Sequence, residues 1–184
     1  MTQSNKPNIS RPTLSNQPKQ SGEIQNKSKQ SNTDSVQQKN DDVVTRMVKK
    51  IDGFNTGLKE YKIRELVEDT EELGKILADK GDRGLKTTQI RKFLDAVNRF
   101  KVQQSVKNEF SEESRDELNI LRYQLAYAAA RQRKGNDPGP VEPLKKVLEA
   151  AIKRVTTDLE DFKRFVQLIE AIVAYHKAAG GKDQ

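Results

Sequence analysis

From Val43 to Val173 apolar residues return every three or four positions, and nowhere do they alternate one by one with polar residues. That spacing puts them on one face of a helix and never on one face of a strand. The chain is therefore expected to be all-α, with helices that bury their stripes against one another. Short interruptions between the stripes favour antiparallel neighbours, in a compact bundle of about five to six helices preceded by a disordered N-terminal tail.

Residues 1–40 read as that tail. Their apolar content is Met1, Ile9, Leu14, Ile24 and Val36 among Ser, Asn, Gln, Lys and Pro, too little buried surface to offset the entropy of ordering the chain. They also carry Lys6, Arg11, Lys19, Lys27, Lys29 and Lys39 against Glu23 and Asp34, and so hold four of the net seven positive charges. The tail is either a loose tether for an anionic partner or a dispensable extension. Because the remainder is only mildly basic, a basic surface there has to come from where side chains point.

Residues 41–57 read as a short amphipathic helix and linker, with Val43, Val44, Met47, Val48, Ile51 and Phe54 on one face and Asn55-Thr56-Gly57 ending it. Residues 58–179 read as the bundle domain and 180–184 as a C-terminal tail. Within the bundle a helix is expected from Leu58 to Lys80, stopped by Gly81. The next opens in LKTTQIRKFLDAVNRF (Leu85–Phe100) with Thr87 or Thr88 as N-cap. Ser114 and Glu117 have capping-box spacing for a helix running to Gly135, where KGNDPGP breaks regular structure. Pro143 suits the first turn of the following helix, and Thr157 with Glu160 has the spacing to open the last one.

The residues offer little for catalysis. With no cysteine, disulfides, thiolate metal sites and cysteine nucleophiles are excluded together. The single histidine, His176, has no companion ligand at helical spacing and reads as a partly buried ring near a helix end. Glu68, Asp69, Glu71 and Glu72 are the best candidates for a carboxylate metal site, though adjacent acids on a Lys-rich helix ordinarily form a solvated face. Gly81-Asp82-Arg83-Gly84 lacks the downstream Lys-Ser/Thr of a phosphate loop. No catalytic residue, cofactor or metal is expected. No apolar run is long enough to span a bilayer, and the Met1 end lacks a signal peptide's apolar segment, so a cytoplasmic setting is expected.

The helix faces carry more. In Leu85–Phe100 the residues Ile90, Phe93, Leu94, Val97 and Phe100 form one stripe, with Lys92, Asp95 and Arg99 opposite and Arg91 on one flank. In the helix after Ser114, Leu118, Leu121, Leu125 and Ala128 form the core stripe, while Ile120, Tyr123 and Tyr127 form a second apolar side that calls for a neighbour or a partner subunit. Extended to its end, the same helix projects Arg122 and Arg133 together across Ala126 and Ala129. Guanidinium groups beside small residues suit phosphate oxygens, and the same small residues suit close helix packing. Aromatics do not interleave with the basic residues, so any nucleic acid is expected to be held by its backbone, with little sequence preference and a strong salt dependence.

The run Leu85–Leu94, LKTTQIRKFL, resembles the signature of the small helical subunit of type III-A CRISPR interference complexes, the Csm complexes, in which Leu-x-Thr-Thr/Ser-Gln-Ile-Arg opens a helix. Leu121–Arg131, LRYQLAYAAAR, is similar to the family's second segment, a leucine-rich helix closing in Tyr-x-Ala-x-Arg. The helix Phe162–Lys177, ending Ala-Tyr-His-Lys, fits the same pattern. The likeness runs from Leu58 to Lys177, and the first 40 residues and KGNDPGP depart from it.

The resemblance implies a non-catalytic subunit of an antiviral ribonucleoprotein, stacking on copies of itself and on larger backbone subunits beside guide RNA paired with target RNA. By position it points to Gln89, Arg91, Lys92, Arg122 and Arg131 as RNA-binding residues. Helix-face geometry adds Arg99, Arg133 and Lys134, and Tyr123 and Tyr127 are candidates for a subunit interface. Two other readings stand beside it: a helical protein–protein adaptor with no nucleic-acid role, and a carboxylate-dependent nuclease.

Overall fold

The computed structural model describes residues 1–2, 38, 40, 42–78, 84–107, 110–135 and 137–181. The tail expected for residues 1–40 and the stop expected at Gly81 therefore lie, but for isolated positions, outside the described residues. What is described is all-α: α1 (42–52), a 3-10 turn Leu58–Glu60, α2 (Ile63–Leu77), α3 (Thr87–Lys107), α4 (Glu112–Gln132), α5 (Glu142–Lys153) and α6 (Leu159–Ala178).

α6 is the central element. It packs most extensively against α2, then against α3 and the 3-10 turn, while α4 packs on α5. Its own sequence explains this role, because Phe162, Phe165, Val166, Leu168, Ile169 and Ile172 are all buried and cover more than one face of the helix. One core joins Val43, Val44, Met47 and Ile51 of α1 to Leu66, Leu73 and Leu77 of α2, Ile90 and Val97 of α3, Leu118 and Leu125 of α4, and Val147 and Leu148 of α5. Phe100, Phe110 and Phe162 meet within it, with Phe110 stacked on Phe162 at 4.9 Å between centroids and Phe100 edge-on to both.

α2 and α6 approach closely enough that a Cβ on Gly74 would lie 2.7 Å from the Tyr175 carbonyl carbon. Glycine here serves backbone approach rather than a turn.

The helix expected from Leu58 to Lys80 is instead divided. Gly57 has φ 132°, Leu58 N donates to Arg154 O at 2.8 Å, and Tyr61 is extended. The cause lies in α6: Asp161, fully buried, accepts from Lys59 N at 2.7 Å and from Thr156 N at 3.1 Å. That carboxylate gives the Lys59 amide a charge-assisted hydrogen bond and ties the turn to the α5–α6 connection through Thr156.

Three helix starts also differ from expectation. α4 begins after Ser111, whose hydroxyl accepts from Ser114 N; Ser114 is the third residue of the helix rather than its cap. α6 is capped by Asp158, which accepts from Glu160 N at 2.8 Å, while Thr157 is exposed. At α3 neither threonine hydroxyl caps: Thr87 is already helical and buried, and the Gln89 amide oxygen reaches back to accept from Lys86 N at 3.1 Å. This is the glutamine half of a capping box.

Candidate nucleic-acid interface

The charges of the bundle are sorted by helix. α2 carries Glu65, Glu68, Asp69, Glu71 and Glu72 against Arg64 and Lys75, whereas α3 carries Arg91, Lys92, Arg99, Lys101 and Lys107 against Asp95 alone. A mildly basic domain thus presents one strongly basic helix.

On α2 the acids are held by the fold. Asp69 faces the core, where it accepts from Tyr61 Oη at 2.6 Å and pairs with Lys50 at 2.5 Å. Burial, with the Asp69 carboxylate beside it, raises the Tyr61 phenol far above its ordinary value, so it remains a donor. Glu72 pairs with Arg46 at 2.6 Å and Glu71 with Lys75 at 2.7 Å. Of the four carboxylates singled out as a metal site, Asp69 and Glu72 are thus both drawn to Arg46 and Glu71 to Lys75. Among the described residues no group of three or more His, Cys, Asp or Glu converges on a cation position.

The basic residues of α3 and α4 do converge, in part. Gln89 and Lys92 from the first half of α3 and Arg131 from the last turn of α4 line a single groove of about 400 Å³. Its apolar lining comes from Leu85, Phe93, Ala96, Leu125, Ala128, Val141 and Leu144, and two further amides, Gln124 and Gln132, complete it. Arg131 is steadied by Tyr127, whose ring lies 5.9 Å from its guanidinium carbon. Arg99 stands seven residues beyond Lys92 on the same side of α3, in a shallow depression with Asp95, Asn98 and the exposed Val102. Among the described residues no carboxylate lies within ion-pair distance of Lys92, Arg99 or Arg131.

The other candidates lie elsewhere. Arg91 is exposed but does not line the groove. Arg122 leaves α4 from the side opposite Arg131, since nine residues are about two and a half turns; it is half-buried and donates to Asn119 Oδ1 at 3.2 Å. Arg133 does not project with it, because the helix ends at Gln132 and Arg133 is extended. Lys134 follows in a backbone bridge to Asp137, and Gly139, at φ 77°, packs so closely on Gln132 that a Cβ would sit 2.7 Å from its carbonyl oxygen. That close turn is what stops α4.

Tyr123 and Tyr127, with Ile120, form an exposed strip on the outer side of α4, at 63%, 66% and 40% of full exposure. His176 is not partly but fully buried, and its Nε2 donates to Leu85 O at 2.8 Å, tying the end of α6 to the residue that leads into α3. Phe93, Gln124 and Gln132 are the groove residues that sequence reasoning missed as site residues. Gln124 and Arg131, seven apart on one helix face, were the available signal.

Comparison with known proteins agrees with the resemblance. The family model described as Csm2 Type III-A matches residues 60–182, well over half of the chain. A curated relative from Streptococcus thermophilus, "CRISPR system Cms protein Csm2", is 36% identical over 105 residues, covering 57% of this chain and 81% of its own. No solved structure matches at a significant level. The chain belongs to the Csm2 family of type III-A CRISPR systems, the small subunit of the Csm complex.

Proposed function

We propose that this subunit is non-catalytic and binds RNA along the outer face of α3 and the facing end of α4, as part of antiviral defence. The observation that carries the reading is the convergence of Lys92 and Arg131 on one groove with Arg99 aligned beyond it, with no carboxylate among the described residues within ion-pair distance of any of the three. Cations left unpaired on a structured face are available to phosphate oxygens. Gln89 keeps its amide NH2 for the same task, since its oxygen is committed to Lys86 N. Arg91, Arg122, Arg133 and Lys134 are assigned a peripheral part, in keeping with their positions away from the groove.

The partners in this reading are guide and target RNA, further copies of the subunit and the other Csm subunits. Residues 58–179 act as the assembling domain, with 41–57 packed onto it and 1–40 and 180–184 as appendages. The exposed strip of Ile120, Tyr123 and Tyr127 seats a neighbouring subunit, which also requires no membrane. Among the described residues no helix is long and apolar enough to cross one, and the setting proposed is the prokaryotic cytoplasm.

Replacing Lys92, Arg99 and Arg131 together by Ala tests the reading. RNA retention by the assembled complex is expected to fall, and the slope of affinity against salt to flatten, with helicity unchanged. If RNA retention persists while assembly fails on replacing Tyr123 and Tyr127 by Ser, the protein-only adaptor is the better description.

A further inference from the structure

The groove between α3 and α4 has a composition that phosphate contact alone does not explain. A surface that only neutralises phosphates is a row of cations on polar ground. Here Lys92 and Arg131 stand beside an apolar lining that includes the half-buried ring of Phe93, and three amides, Gln89, Gln124 and Gln132, border it. Its volume, about 400 Å³, is in the range that encloses one small ligand. No Asp or Glu is among its lining residues, so an acidic head is favoured at the rim and a flat, partly apolar body below it.

We propose that this groove takes a single unpaired nucleotide of a bound RNA strand, with its base lodged against Phe93 and its phosphate between Lys92 and Arg131. The proposal rests on the RNA-binding reading above and adds to it a site for a base. An unstacked base offers a π-face to an aromatic ring and hydrogen-bonding edges to side-chain amides; Gln124 and Gln132 each carry a donor and an acceptor end for those edges, and Gln89 its NH2. Arg131 is held for this purpose from outside the groove by the Tyr127 ring. Gln89 is oriented by its bond to Lys86 N, which leaves its NH2 as the end available to the groove. A base inside a duplex has both edge and face occupied, so the groove distinguishes unpaired from paired nucleotides, whereas the α3 cations do not.

The full chain is tested against a short single-stranded RNA carrying a fluorescent adenine analogue, and against the same strand annealed to its complement. The expected result is a preference for the single strand on the order of tenfold, the worth of one stacked base, with a fluorescence change that reports unstacking. Phe93→Leu, which keeps apolar volume but removes the ring, and Ala128→Met, which fills the groove from a helix-compatible position, should each abolish the preference. Duplex binding should fall by less than single-strand binding in each variant, with the salt slope set by the remaining cations. Thermal melting of each variant confirms that it is folded.

Wild-type preference retained by both variants overturns the proposal while leaving backbone binding intact. Loss of both duplex and single-strand binding in Lys92→Ala, with Phe93→Leu behaving as wild type, does the same. Absence of binding to either RNA by the unaltered chain overturns the proposal and the reading beneath it. Free adenosine monophosphate competing as strongly as the strand would reassign the groove to a soluble nucleotide. Loss of assembly with protein subunits upon Ala128→Met, with single-strand binding unchanged, would reassign it to a peptide.

Discussion

The two long flanks of the bundle handle charge in opposite ways. On the side of α1 and α2, cations are matched to acids: Arg46 to Glu72, Lys50 to Asp69, Lys59 to Asp158, Lys75 to Glu71, at 2.5 to 2.7 Å. On the side of α3 and α4, Lys101 pairs with Glu170 and Arg115 with Glu112, but Lys92, Arg99 and Arg131 lack such partners among the described residues, and Ile120, Tyr123 and Tyr127 lie open to solvent. Exposed pairs contribute little to stability, so the first flank is not held together by its salt bridges so much as closed to other ligands by them. The second flank is left incomplete by the fold, and incompleteness of both charge and apolar cover is what a binding surface requires.

The sharpest break between the flanks should come from Gly57→Ala. Its Cβ would stand 2.2 Å from the Asp161 carboxylate, at a φ of 132° that an alanine adopts only with strain. The expected loss is about 3–5 kcal/mol of stability. It should be read as a fall in urea midpoint with unchanged slope, and with unaltered RNA affinity in the fraction that remains folded.

Next in size, the Lys92, Arg99 and Arg131 triple Ala variant should lose about a hundredfold in RNA affinity and about 2 in the salt slope, while its melting temperature holds. Arg122→Ala, cut from the opposite side of α4, serves as the control and should change affinity less than the triple variant does. Asp69→Asn should then cost about 1–2 kcal/mol by urea unfolding, because Lys50 loses its charged partner yet is exposed enough to turn to Glu65 or water.

The smallest effect is in pH. The Lys59 side chain and Glu160 N–H hold Asp158 below its ordinary value, and Thr56 holds Glu60 down in the same way. A depressed carboxylate adds stability above its unfolded value, and that stability is lost as pH falls through the folded one. Melting temperature is thus expected to decline gently below about pH 4, and Asp158→Asn should flatten part of that decline.

Period alone made the helices legible. Leu144, Val147, Leu148, Ala151, Ile152 and Val155, which the helical period puts on one face of the helix expected after Pro143, are all buried; of the face expected for the last helix, Phe162, Val166 and Ile169 are buried and Leu159 and Val173 partly so. Helix ends were harder, because neighbouring residues offered equal spacing: Ser111 against Ser114, Asp158 against Thr157. What decides between them is partly tertiary, as where Asp158 also meets Lys59 from ninety-nine positions away. The break at Gly57 was invisible for the same reason, since it depends on Asp161.

Of the candidate site, Gln89, Lys92 and Arg131 were each named by position through the family resemblance, but nothing in the matched segments says that they meet. Arg133 was misplaced because the helical period was carried past Gln132, where Gly139 folds the chain back. Phe93 looked like plain core, and only the packing of α3 beside α4 leaves its ring half open.

The bond from His176 to Leu85 O has a mechanical side. Leu85 lines the groove and leads directly into the turn that carries Gln89 and Lys92, so in the RNA-binding reading proposed above a pull on the bound strand would pass through one imidazole into the last turn of α6. From there it would reach the helix most firmly wedged in the core. The proposed grip on the outside of the subunit would therefore be anchored in the last turn of α6, and replacing His176 by Ala should let the mouth of the groove slacken before the bundle itself gives way.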